Sequence, residues 1–282
     1  MKITCLGTGC PEPNPRRGSS GYLAEVGDDV ILMDCGGGVY DRLVQSGRKP
    51  SDITHLFFTH LHSDHMIDYA RLVHAAWDEG GASLKVWGPP PIADITEKLF
   101  GRDGVLSHDL RARTENQGSQ NVWVDRGGTL PRPWPEPVIT EIQPGFAFDG
   151  DGWRLSTCQA IHAQPQLECM AFRLEAGDKS MAYSGDAALT DPVEQLVQNV
   201  DLLIHWCYRM SGDETFEFIR KLSPDPVEIA QLAQRAGVKK LLATHLRVAM
   251  DTDEARQKIL KDLQTHFDGE SGIAEDLMVV EL

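Results

Sequence analysis

The stretch FFTHLHSDHM, residues 57–66, constrains this chain more than any other. Its apolar start continues ITHL from residue 53, so 53–59 reads as a buried strand. His60, His62, Asp64 and His65 then fall within six positions. Two histidines two apart where a strand ends project to one side, and Asp64 and His65 follow in the turn that opens a helix. The period changes at that point: Met66, Ala70, Val73 and Trp77 keep helical spacing and predict a helix from about Asp64 to Asp78. Imidazole and carboxylate groups gathered this closely suit a borderline divalent cation. A histidine-rich surface turn is the plain alternative. A lone HxH would favour it; a full HxHxDH after an apolar strand does not.

Around this motif, residues 2–7, 20–26 and 29–34 read as strands separated by Gly/Pro-rich turns. The stretch 103–137 has no sustained periodicity and is rich in Gly, Pro and Arg, which predicts an irregular, lid-like segment. Strands resume at 153–161, 169–176 and 180–185, and then strands and helices alternate: 201–207, helix 226–236, 239–244, helix 251–266 and a last strand at 277–282. A strand-rich stretch giving way to alternation, twice over, predicts an α/β chain of two packed sheets with helices outside. At 282 residues one domain over 1–282 is the expectation.

Composition narrows the function classes. The formal net charge is −15, and no basic stripe of the kind that grips a nucleic-acid backbone stands out, which argues against a polyanionic substrate. Six cysteines without CxxC spacing read as reduced, mostly buried thiols. No apolar run reaches the ~20 residues that span a bilayer, and no signal-peptide pattern opens the chain, so no membrane and a cytoplasmic location are expected.

The HxHxDH spacing resembles that of the metallo-β-lactamase superfamily, whose domain is an αββα sandwich of two mixed β-sheets flanked by helices, with one or two metal ions at a sheet edge. The family's later His, its Asp in a GD turn and its final His after a strand are matched by AIHAQP (His162), YSGDAAL (Asp186) and LLATHLR (His245). The resemblance implies that His60, His62 and His162 hold one metal, that Asp64, His65 and His245 hold another, and that Asp186 bridges them. Asp34 in LMDCGGG looks like the superfamily's aspartate that orients a ligand histidine. The opening LGTGCPEPNPRRGSSGYLAE, THLHSDH and SGDA are most similar to the ribonuclease Z and arylsulfatase-like branch. His205 stands where that branch carries a His-Glu pair, and Trp206 replaces the glutamate. Ribonuclease Z holds tRNA with a long basic arm between the counterparts of His162 and Asp186; here only 23 residues intervene, and two strands fill them.

The resemblance therefore implies a zinc-dependent hydrolase with two Zn2+ per chain, Mn2+ or Fe being the alternatives. A metal-bridging hydroxide would attack a small-molecule ester (phosphodiester, sulfate ester or lactone), with Asp64 orienting it and His205 protonating the leaving group. A hydrolytic dehalogenase of an activated aryl halide, a non-catalytic metal-binding or sensor protein and a redox diiron protein are the other readings. No nucleic-acid partner and no tRNA 3′-processing are expected, and a homodimer is, as in many relatives. Arg111, Arg113, Trp134 and Trp206 are candidate substrate contacts, the arginines suiting anionic oxygens and the tryptophans an aromatic face. The alternative is that these arginines pair with acidic residues and the tryptophans anchor the segment. His55, His74, His108 and His266 show no partner and read as structural or surface residues.

Overall fold

The computed structural model describes all 282 residues. Its first sheet takes β1 (Lys2–Gly7), β2 (Gly21–Val26), β3 (Asp29–Met33), β4 (His55–Phe57), β5 (Lys85–Gly88) and β6 (Val138–Glu141). The second takes β7 (Ala147–Asp149), β8 (Trp153–Gln159), β9 (Met170–Ala176), β10 (Lys179–Tyr183), β11 (Leu202–Trp206), β12 (Lys240–Thr244) and β13 (Glu270–Ile273). β14 (Val279–Glu281) returns to the first sheet, giving orders β14-β1-β2-β3-β4-β5-β6 and β13-β12-β11-β10-β9-β8-β7. Each sheet is mixed: β3 to β6 and β10 to β13 run parallel, while β1 to β3 and β7 to β10 are antiparallel.

Burial follows from that arrangement. β8 alternates, with Trp153, Leu155 and Thr157 turned inward, as a strand covered on one face should. β11 is buried at every position because both its faces are covered. Its Leu202 and Ile204 join Ile3, Phe57, Phe172 and Tyr183 between the sheets, while Leu203 and Cys207 pack outward.

Helices cover both outer faces. On the first sheet lie α1 (Val39–Gln45), α2 (Ser63–Met66), α3 (Tyr69–Asp78) and α4 (Ile92–Phe100), whose Val39, Leu43, Tyr69, Leu72 and Ile92 pack on Leu6, Leu32 and Leu56. α5 (Ser107–Glu115) and α6 (Gln117–Asp125) follow. On the second sheet α7 (Asp191–Leu196) precedes α8 (Glu217–Leu222), which buries nothing, and α9 (Pro226–Arg235) and α10 (Asp253–His266) supply Ile229, Leu232, Ile259 and Leu263 to the outer core. The result is the expected αββα sandwich.

Two stretches differ from their sequence reading. The helix expected over 64–78 breaks at Ile67–Asp68 into α2 and α3. The Asp68 carboxylate accepts hydrogen bonds from the amides of Gly38 (2.8 Å) and Tyr40 (3.1 Å), and its own amide bonds to Cys35, so the chain is pinned there to the loop after β3. The 103–137 segment is not irregular: it contains α5 and α6, the latter capped by Asn116, whose side chain accepts from the Ser119 amide at 3.2 Å. α5 buries only Ser107 and Leu110 and α6 buries no residue, so neither carries an apolar period that sequence reading could find.

Candidate metal centre

The seven ligand-type side chains gather beyond the carboxyl ends of β4, β8, β10 and β12, the edge where open α/β sheets place their sites. His60 and His62 follow β4, His162 follows β8, Asp186 follows β10 and His245 follows β12, while Asp64 and His65 lie in α2. Their ligand atoms gather into the sets His60–His62–His162, His60–His65–Asp186 and Asp64–His65–His245. Within the first, His62 Nδ1 lies 3.1 Å from His60 Nε2 and 3.2 Å from His162 Nε2. Within the third, His245 Nε2 lies 3.1 Å from Asp64 Oδ2. Asp186 stands between the two, its Oδ2 3.5 Å from His162 and 3.3 Å from His245, its Oδ1 3.4 Å from His65.

A cation fits this set better than the residues fit one another. Three ring nitrogens meeting at one point cannot all be satisfied by shared protons. His65 Nε2 and Asp186 Oδ1 are buried with no hydrogen-bond partner, each an acceptor left open toward the cluster.

Asp34 organises the set from beneath. Fully buried, it accepts at Oδ1 from the Thr59 amide (2.8 Å) and at Oδ2 from Thr59 Oγ1 (2.8 Å), His65 Nδ1 (2.8 Å) and the Tyr183 hydroxyl (2.9 Å). The bond from His65 Nδ1 fixes that imidazole with its Nε2 lone pair toward the cluster. Thr59 Oγ1 donates to Asp34 and so must accept from His60 Nδ1, 3.0 Å away, which fixes His60 the same way. Asp34 (φ 59°) and His245 (φ 60°) hold left-handed backbone, strain of the kind that persists at functional sites. A Cβ at Gly36 would collide with the Asp64 carbonyl, so only glycine lets the loop after β3 close on α2.

The protonation states match ligands awaiting a metal. Burial lowers the pKa of His60, His62 and His162, keeping them neutral. Burial alone would raise Asp186, but His245 and His65 outweigh it and hold the carboxyl well below its ordinary range. Burial opposes a charge on His65 too, yet Asp186 and Asp34 raise it, so in the absence of a cation a proton competes for its Nε2. His62 and His162 are partly exposed while His60, Asp64, His65, Asp186 and His245 are buried, so the centre opens on the His62–His162 side.

Other predicted residues divide. Trp206 lies at the site: its ring is 5.2 Å from His162 and 5.7 Å from His245, and its Nε1 donates to the Ala187 carbonyl at 2.6 Å. His205, next along β11, is fully buried and makes no hydrogen bond to the seven; its Nδ1 bonds to the Trp206 carbonyl at 2.9 Å and its Nε2 has no partner. Burial pushes its pKa down to about 4. A neutral imidazole whose one N–H is engaged has no proton to hand to a leaving group, which departs from the role expected of it.

Arg111, Arg113 and Trp134 do not reach the centre. Arg111 donates to the Arg102 carbonyl, Arg113 pairs with Asp109 at 2.9 Å, and Trp134 is buried with its Nε1 on the Phe100 carbonyl at 2.5 Å. Arg111 and Trp134 thus tie to the end of α4 and the turn after it, while Arg113 also faces Asp78 at the end of α3. Sequence reasoning missed Tyr208, whose ring lies 5.7 Å from Trp206 and 6.1 Å from His245; its place two residues beyond Trp206 in line with β11 was the available signal. His55 is a core residue stacked on Trp87 at 5.3 Å, and His74 pairs with Asp109 at 3.0 Å.

Comparison with known proteins agrees with this geometry. The family model described as "Beta-lactamase superfamily domain" matches residues 30–246. A ribonuclease Z of Mycobacterium bovis (strain BCG / Pasteur 1173P2) is 29% identical over 296 residues, covering 100% of this chain and 98% of the relative. Among solved structures, the metallo-β-lactamase fold protein YhfI from Bacillus subtilis aligns with a TM-score of 0.77 at 22% identity, covering 100% of this chain and 98% of that one. Human tRNase Z, short form, aligns with a TM-score of 0.70 at 20% identity, covering 100% and 99%. Three sequence expectations are corrected by these likenesses, the small-molecule ester substrate, the exclusion of a nucleic-acid partner and the exclusion of tRNA 3′-processing, because the chain matches proteins named ribonuclease Z along its whole length. Net charge is summed over the entire surface, whereas a phosphodiester is met locally, and the short interval between His162 and Asp186 excludes an arm at that place without excluding RNA.

Proposed function

We propose that this chain, which belongs to the β-lactamase superfamily and within it to the ribonuclease Z branch of metal-dependent hydrolases, is a phosphodiesterase that trims precursor tRNA at its 3′ end. The observation that carries the reading is the end-to-end match to a ribonuclease Z, which brings with it a complete set of seven ligand-type groups. We take the centre as a pair of zinc sites, His60, His62 and His162 forming one, Asp64, His65 and His245 the other, with Asp186 between. Bound divalent metal supplies Lewis-acid activation of water and offsets the charge that builds on the phosphate oxygens.

The chain's own residues supply placement. The scissile phosphate enters where His62 and His162 are partly exposed, with Trp206 as the wall beside His162 and His245. Asp64 Oδ2 is engaged by His245, which leaves Oδ1 to accept a hydrogen bond from the attacking water and aim its lone pair at phosphorus. The reading further takes each chain as one domain, paired with a second copy and working in the cytoplasm; no helix is long and apolar enough to cross a membrane.

The test is to incubate the purified chain with a precursor tRNA carrying a 3′ trailer and map the product ends, with elemental analysis alongside. Endonucleolytic release of the trailer, about two zinc per chain, and loss of both metal and cleavage in Asp186→Ala are expected. An intact precursor in the presence of fully metal-loaded protein refutes the reading.

A further inference from the structure

Away from the metal centre, three arginines and two tryptophans converge on one carboxylate. Asp78, the last residue of α3, receives Arg126 at 3.0 Å, Arg132 at 2.8 Å and Arg113 at 3.7 Å. Arg113 also pairs with Asp109, which His74 shares. The Arg132 side chain is only 4% exposed; its guanidinium lies 3.7 Å over the Trp77 ring and 4.4 Å over Trp123, and its Nε is buried without a partner. Asp78, Arg113, Arg126, Arg132 and Trp123 line a cleft of about 340 Å³ that also takes in Asn116, Gly118 and Ser119 at the start of α6. From Arg102 to Arg132 the sequence sets five arginines against four carboxylates, in a chain whose net charge is −15.

Three guanidiniums stand against two carboxylates, Asp78 and Asp109, so N–H donors remain after both are satisfied, and one buried N–H of Arg132 has no acceptor. Forked guanidinium donors match the oxygens of a phosphate, and Trp123, on the cleft wall, packs against Arg132 and helps hold it in place. The ten residues of α3 from Tyr69 to Asp78 span about 15 Å, roughly the rise of four phosphates along one strand at ~3.4 Å each.

We propose that the cleft between the end of α3 and α6 is a second anion site that holds a backbone phosphate of the RNA, apart from the cleaved bond, with Arg113 and Arg126 as its accessible donors and Arg132 as its fixed floor. The proposal rests on RNA being the substrate, and its test separates binding from cleavage.

The experiment measures binding of mature tRNA, which requires no cleavage, to the full-length metal-loaded protein over a range of salt concentrations. It compares wild type with Arg113→Gln/Arg126→Gln and with Arg113→Lys/Arg126→Lys, following melting temperature and metal content in each. The Gln pair is expected to weaken binding on the order of tenfold and to make the salt dependence shallower by about one to two released ions. Turnover of bis(p-nitrophenyl) phosphate should stay unchanged, since that substrate is too short to span both sites. The Lys pair should keep the wild-type salt slope even if it loses affinity, and so carries the test if the Gln pair folds poorly. Wild-type affinity and slope in the Gln pair overturn the proposal, as does a parallel loss on both substrates in a folded, metal-loaded protein. If wild type binds tRNA through these arginines but leaves a precursor uncut, the tRNA-processing reading fails and the cleft stands.

Discussion

Thr59→Val isolates one half of the metal centre. The hydroxyl of Thr59 relays between His60 Nδ1 (3.0 Å) and Asp34 Oδ2 (2.8 Å), and valine keeps its β-branched shape without the relay. Asp34 still holds His65 and Tyr183, so the carboxylate is not orphaned. His60 Nδ1–H is left buried without an acceptor, a cost of about 1–3 kcal/mol. The ring escapes that cost by moving its proton to Nε2, where it meets His62 Nδ1, and metal binding must then reverse the shift. Loss of such a supporting contact lowers metal affinity by roughly 10–100-fold, or about 1.4–2.8 kcal/mol. The penalty should fall on the His60–His62–His162 set and spare Asp64–His65–His245, whose link to Asp34 is intact. If the centre holds the proposed pair of metals, chelator competition followed by elemental analysis should show one of them lost early in Thr59→Val, with Thr59→Ser behaving as wild type. Unchanged affinity in Thr59→Val, or equal weakening of both sites, would refute the relay.

Two further outcomes follow from the core and from a buried histidine. Phe57 is fully buried between the sheets, 4.7 Å from Trp87 and 6.3 Å from Phe172, so Phe57→Ala should cost about 3–5 kcal/mol in denaturant unfolding, and a loss below 1 kcal/mol would contradict its place in the core. For His205, burial sets the folded pKa at about 4 against an ordinary 6.5, so between these values the unfolded chain binds the extra proton and stability rises with pH. The contribution is complete above pH 6.5 and fades as pH falls towards 4, worth roughly 3 kcal/mol over the window. His205→Gln should flatten the acid limb of the stability curve by that amount, and an unaltered slope would show that the histidine is not held neutral.

Much of this centre was readable because its first half is local. His60, His62, Asp64 and His65 lie at the junction of a strand and a helix, where spacing alone fixes a common side. The later ligands are separated from them by up to 185 residues and became legible only because each follows a strand: β10 and β12 run parallel through β11, and β8 takes the same direction through two antiparallel pairings with β9, so all three end at one edge. What escaped is the support beneath. Tyr183 meets Asp34 across 149 residues, and nothing in the sequence near either marks the contact. Thr59 looks like an ordinary strand-end residue until its two hydrogen bonds are seen. The segment from 103 to 137 was misread for a different reason: α5 and α6 are held by Asp78, Asp109 and the arginines rather than by an apolar face, and periodicity cannot report helices that bury almost nothing.

Total charge is a poor guide to what a site on this chain can bind. A chain of 282 residues folds to a radius of gyration of about 19 Å, while at physiological ionic strength an exposed charge is screened over about 8 Å. Carboxylates on one face are thus more than two screening lengths from a ligand on another and do little to repel it. The sum of −15 keeps the protein soluble and slows the approach of a polyanion from afar, but it does not set the potential at a site. That potential is decided by what lies within one screening length. At the centre this is five histidines and two carboxylates arranged to suit a cation, and at the end of α3 it is three guanidiniums against Asp78 and Asp109. Both are local departures from an acidic average, and a phosphate chain need touch only those.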